Sequence, residues 1–157
     1  ASPQRLLNLR TLRVQRAQQN SQKDAQEVLG TAQAFGDIRA ELVNNRIDTQ
    51  ELKIRLEDGI AAPLRRVAEE MFPELDRRLA RLETRLADTA QGPEDQRAAV
   101  QQADAILLQM RQVLAKMIEL EDFNQAIELL REIIAAQEQI GERTGRQQKE
   151  QLRDLLE

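Results

Sequence analysis

Apolar residues recur along this chain in alternating steps of four and three. Leu7, Thr11, Val14, Gln18, Ser21, Ala25, Val28, Ala32, Phe35, Arg39 and Leu42 keep that spacing strictly, and most of them are apolar. Such a frame marks a helix that buries one seam, because 3.5 residues is close to one helical turn. It passes through Gly30 and Gly36 without losing phase, which predicts one helix over 4–57, about 80 Å long. Each glycine costs a helix about 1 kcal/mol against Ala. A break at Gly30, or near Gly36 with Asp37 as a new N-cap, is therefore the rival reading.

Asp58-Gly59 predicts the first stop, since Gly readily takes the left-handed conformation that ends helices and Pro63 suits a new first turn. A second helix is expected over 60–89, with Leu64, Val67, Met71, Leu75, Leu79, Leu82 and Leu86 as its stripe. Pro73 falls inside it. The stripe stays in phase across the proline, so a kink is expected and not a break. Ala90-Gln91-Gly92-Pro93 predicts a loop.

The pattern is strongest in the third helix, expected over 94–120. Ala99, Ala103, Ile106, Met110, Val113, Met117 and Leu120 are all apolar on the 4-3 frame. Val100, Leu107 and Leu114 widen this face, which predicts neighbours on more than one side and a central place in a bundle. Leu120 and Phe123 are only three apart, so the frame slips there. A slip fits either a tight hairpin or a continuous helix with a stammer, and Asp122 as an N-cap favours the hairpin. A fourth helix is expected over 123–141, carrying Phe123, Ile127, Leu130 and Ile134 with Ala126, Ile133 and Ile140 beside them. A short polar helix follows from Arg146 to Glu157.

The expected fold is thus all-α: an elongated antiparallel helical bundle with coiled-coil packing, four main helices (4–57, 60–89, 94–120, 123–141) and a short C-terminal helix, in one module over 1–157. Composition agrees. Charged residues are 32% and aromatics 2%, a balance that suits aliphatic helix seams better than an irregular pocket.

Composition also narrows the chemistry. The chain has no Cys and no His, which removes thiol and imidazole catalysis and the usual metal ligands. The net charge of −4 argues against nucleic acid as a main partner. Glu69, Glu70 and Glu74, and Glu128 with Glu132, are carboxylate pairs at helical spacing. A helical di-metal site would need a Glu-x-x-His element besides, and Arg65, Arg66, Arg77 and Arg78 stand ready as ion-pair partners. Solvated faces are the expected reading, with no catalytic, cofactor-binding or metal-ligating residue. Met110, Leu114, Met117 and Phe123 read as core before pocket. Arg5, Arg10, Arg13 and Arg16 precede the first acid, Asp24. They are interleaved with leucines, which fits an arm awaiting a partner helix better than a membrane-surface helix with separated faces.

Two resemblances add to this. Glu121-Asp122-Phe123-Asn124-Gln125-Ala126-Ile127-Glu128-Leu129-Leu130 resembles the turn and second helix of a tetratricopeptide-type hairpin, with Glu121 where that family prefers Gly. It implies a single hairpin around 100–140 and no repeat array. Met117-Ile118-Glu119-Leu120-Glu121-Asp122-Phe123-Asn124, with the Leu/Ile helix after it and the polar Arg146–Leu156 tail, is similar to secreted coiled-coil proteins of bacterial envelopes. That similarity implies an extracytoplasmic structural role, periplasmic or envelope-associated. The opening Ala1-Ser2-Pro3 fits a mature or excised part of a longer protein.

The expected function is a non-catalytic structural or interaction module whose partner is another protein or itself. Reversible binding at a membrane surface and an extracytoplasmic sensory bundle are the alternatives.

Overall fold

The computed structural model describes residues 2–46 and 49–156, and among them there are helices and turns but no strand. Two compact units are present, Ala1–Met117 and Ile118–Glu157. Helix α1 is Pro3–Asn44. Helix α2 covers 50–84 without interruption: Gln50–Leu56, a π-helical turn Glu57–Ala61, Ala62–Arg66, a second π-turn Val67–Met71, and Phe72–Thr84. Helix α3 is Gln91–Leu156.

Three helices therefore replace the expected four, and the boundaries move. The first helix ends at Asn44 and not at residue 57. Asn45 N–H donates to Glu41 O, Arg46 turns into the left-handed region at φ 56°, and its N–H donates to Val43 O. The next helix is started by Thr49, whose hydroxyl accepts the Leu52 N–H at 3.1 Å. No break occurs at Gly30 or Gly36, which are both helical.

The expected stop at Asp58-Gly59 is also absent. The π-turns explain how the helix passes both prolines. A helical proline lacks an N–H, and its ring collides with the carbonyl four residues back. Pro63 and Pro73 each stand two residues beyond a π-turn, where Ala62 and Phe72 donate five residues back, to Glu57 O and Val67 O. The wider turn makes room for the ring. It also aligns the core. Leu56, Ile60, Leu64, Ala68 and Phe72 are spaced by four and all buried. Each step of four overshoots a 3.6-residue turn, by about 1.6 residues over the run. Two π-turns, each taking up one extra residue, hold the stripe on one side.

At 85–90 the chain reverses. Asp88 Oδ1 accepts from Ala90 N (2.9 Å) and Gln91 N (3.0 Å), so α3 is capped and starts at Gln91, ahead of the expected residue 94, and Gln91, Gly92 and Pro93 are helical where a loop was expected. Residues 121–123 are helical and α3 runs on through Gly141, so the hairpin and the separate C-terminal helix are corrected. Asp122 has no turn to cap, and the helical preference of Leu, Ile, Glu and Ala on both sides carries the backbone across the slip.

In the N-terminal unit the helices alternate in direction. Gln15 donates to Glu83 (2.9 Å), while at the other end Arg39 lies 3.6 Å from Glu57, so α1 and α2 are antiparallel. Arg78 donates to Ala98 O (2.8 Å) and Gln102 to Met71 O (2.9 Å), which sets α3 antiparallel to α2. One apolar cluster joins Val14, Leu79, Leu82 and Ala99, and another joins Val67, Phe72 and Ile106. Every position of the α1 frame except Arg39 is buried or half-buried, as is every position of the α2 stripe.

Candidate functional site

Several of the charged residues singled out in the sequence form local ion pairs. Glu74 accepts from Arg77 at 2.6 Å and from Arg78 at 3.1 Å. These two guanidinium groups hold its carboxyl below the usual carboxylate range. Glu70 lies 3.7 Å from Arg66, and Glu128 accepts from Arg131 at 3.1 Å. Glu57 accepts from Arg65 at 2.6 Å and lies 3.6 Å from Arg39, so it ties α1 to the first π-turn. Among the described residues no group of three or more acids is placed to hold a metal ion.

What remains as candidate chemistry is apolar surface. In the N-terminal unit α3 buries Ala99, Ile106 and Val113, yet Val100, Leu107 and Leu114, one residue further on, are 52–56% exposed. The central position expected for this helix is thereby corrected. Its neighbours α1 and α2 cover one side only. Val100, Ala103, Leu107, Met110, Leu114 and Met117 make a second 3-4 frame that lies partly open.

Beside that frame runs a groove of about 410 Å³, floored by Phe72, Leu75, Leu79 and Leu82, with Ala17 and Ser21 on the α1 wall and Ala99, Val100 and Ala103 on the α3 wall. The small side chains on both walls leave the space above α2 unfilled. Ser21 is 3% exposed, and its hydroxyl has no hydrogen-bond partner among the described residues. The periodicity places Ser21 on the seam among mostly apolar positions. A second hollow of about 770 Å³ lies between the start of α1 and the α2–α3 turn, lined by Leu6, Arg10, Arg13, Leu86 and Asp88 among others. Leu6, Leu9 and Leu12 stand exposed on the same stretch of α1 as the four arginines.

In the C-terminal unit, Leu129, Leu130, Ile133 and Ile134 are 47–59% exposed along one side of α3. Isolated exposed leucines are ordinary, whereas these four form a contiguous apolar strip at helical spacing. Among the described residues no helix is long and apolar enough to cross a membrane.

Comparison with protein-family models, with curated proteins and with solved structures finds no match for this chain.

Proposed function

We propose that this chain is a non-catalytic structural or protein-interaction module that presents coiled-coil helix faces to a protein partner or to a second copy of itself. The observation that carries the reading is the pair of uncovered apolar frames on α3, Val100–Leu114 and Leu129–Ile134. In water such frames gain by being covered, at roughly 25 cal/mol per Å² of apolar surface removed. The further neighbour that the wide face of α3 calls for is, in this reading, a partner's helix that packs knobs-into-holes. The reading includes an extracytoplasmic setting, supported by the similarity to secreted envelope coiled coils.

Hydrogen exchange tests it, in protein dilute enough for light scattering to give 18.0 kDa. Amides of 60–82 and 99–113 should be protected as packed core, while those of 118–142 should exchange like an unpacked helix. Core-like protection of 118–142 in that monomer would overturn the reading, because the face would already be covered within the chain.

A second reading has one observation in its favour. Exposed Leu6, Leu9 and Leu12 lie beside Arg5, Arg10, Arg13 and Arg16, which suits reversible contact with an anionic lipid surface. Flotation with anionic vesicles at low salt decides it. Failure to float ends this reading and leaves the first intact.

A further inference from the structure

The two hollows of the N-terminal unit are parts of one trough. The groove of about 410 Å³ and the hollow of about 770 Å³ share Arg13, Val14, Leu82 and Gln96 in their linings. The floor of the groove runs along α2 from Phe72 to Leu82, about 15 Å, and Leu86 continues it toward the α2–α3 turn. The trough has unlike ends. Arg10 and Arg13 line it near the turn, three residues apart on one flank of α1, and among the described residues neither has an ion-pair or hydrogen-bond partner. Asp88 also lines this end, but its carboxylate accepts the Ala90 and Gln91 amides. The remaining charge in the linings is Asp24, at the far end.

We propose that the trough binds one single-chain amphiphile with an anionic head, its tail lying over Phe72 to Leu82 and its head held by Arg10 and Arg13. The inference goes beyond both readings above, since it concerns one dissolved molecule and neither a helix face nor a bilayer. The lining sets the chemistry of the occupant. Leu75 and Leu79 on the floor, with Ala17 and Ala99 on the walls, offer apolar surface that a hydrocarbon tail removes from water. Two unpaired guanidinium groups at one end suit a carboxylate, which takes charge-assisted hydrogen bonds from them. Asp24 repels the same group from the other end, so the molecule lies one way round. Size disfavours a helix as the occupant. A helix at least 10 Å across takes up roughly 1,200 Å³ over 15 Å of floor, against about 410 Å³ in the groove. Sites for single small molecules hold about 300–1,000 Å³.

Calorimetric titration of the full chain with dodecanoate, kept below the concentration at which it forms micelles, tests the proposal. One molecule should bind per chain, and more weakly as salt rises. Arg10→Gln with Arg13→Gln should weaken dodecanoate about tenfold or more. The same variant should leave dodecanol, which has the tail without the charge, within about twofold. Ala17→Leu, and Ala103→Leu on the opposite wall, should each weaken both probes about tenfold, because the added atoms take the space of the tail. Circular dichroism checks that each variant is helical, and the exposed arginine pair decides the matter if the wall variants do not fold. Absence of binding overturns the proposal, as do several molecules per chain, or full affinity in the arginine variant or in a folded wall variant. Arg5 and Arg16 lie outside both linings. An equal loss in Arg5→Gln with Arg16→Gln would show that general positive charge holds the probe, and that too overturns it. Flotation with anionic vesicles but no dodecanoate binding ends this proposal and leaves the membrane-surface reading standing, and the opposite pair of results does the reverse.

Discussion

Gly36 is the position where the continuity of α1 can be tested most directly. It lies inside α1 with no positive φ, and a Cβ built on it meets nothing within 4 Å, as is also true of Gly30. Alanine at such a site removes the glycine's excess unfolded-state freedom, and each replacement should add about 0.5–1 kcal/mol. The two sites are six residues apart with no shared partner, so the double variant should gain about 1–2 kcal/mol. With a urea m-value near 2 kcal/mol/M, the midpoint should rise by roughly 0.5–1 M. Gly92→Ala provides the opposite sign. Its Cβ would sit 2.9 Å from the backbone oxygen of Arg85, a group that cannot swing aside, and overpacking of that kind costs about 1–3 kcal/mol. Urea titration followed by far-ultraviolet circular dichroism measures all three. A loss of stability in Gly36→Ala would mean that the helix breaks there in the left-handed conformation alanine resists. A gain in Gly92→Ala would mean that the chain does not close tightly onto Arg85.

Three further outcomes follow from the turns and the core. Arg46→Gly should raise stability by about 1 kcal/mol in thermal unfolding, because Arg46 holds φ 56° at a cost glycine does not bear; no change would place the left-handed residue elsewhere. Ile60→Ala should cost about 2–5 kcal/mol in the same assay, since Ile60 is fully buried within the first π-turn; a cost typical of a surface residue would refute that placement. Backbone N–H groups of Gln91 and Ala90 hold the Asp88 carboxyl below its ordinary value of 3.8. A depressed pKa in the folded state means that this stabilisation is present above that value and fades as pH falls through the lower folded one. Wild-type should therefore lose stability relative to Asp88→Asn as pH falls below about 4, and parallel pH profiles for the two would count against the cap.

The periodic seams were legible in the sequence because burial follows period. Leu7 to Leu42, Arg39 excepted, and Leu64 to Leu86 face the core as their spacing requires, and Ala99 to Val113 do likewise. That much needs only the 3.6-residue turn and the exclusion of apolar surface from water. The boundaries were less legible. Asp58-Gly59 and Pro63 read as a stop on local propensity, but α2 continues, because widened turns accommodate the prolines and burying Leu56, Ile60, Leu64 and Phe72 against α1 and α3 outweighs local preference. Asn44–Arg46 carries no glycine and looked helical, yet the chain turns there. The open frame at Val100, Leu107 and Leu114 was read correctly as apolar and wrongly as covered. Sequence alone determined which residues seek burial. Only the tertiary structure decided which of them found it, since covering a face depends on where the other helices end.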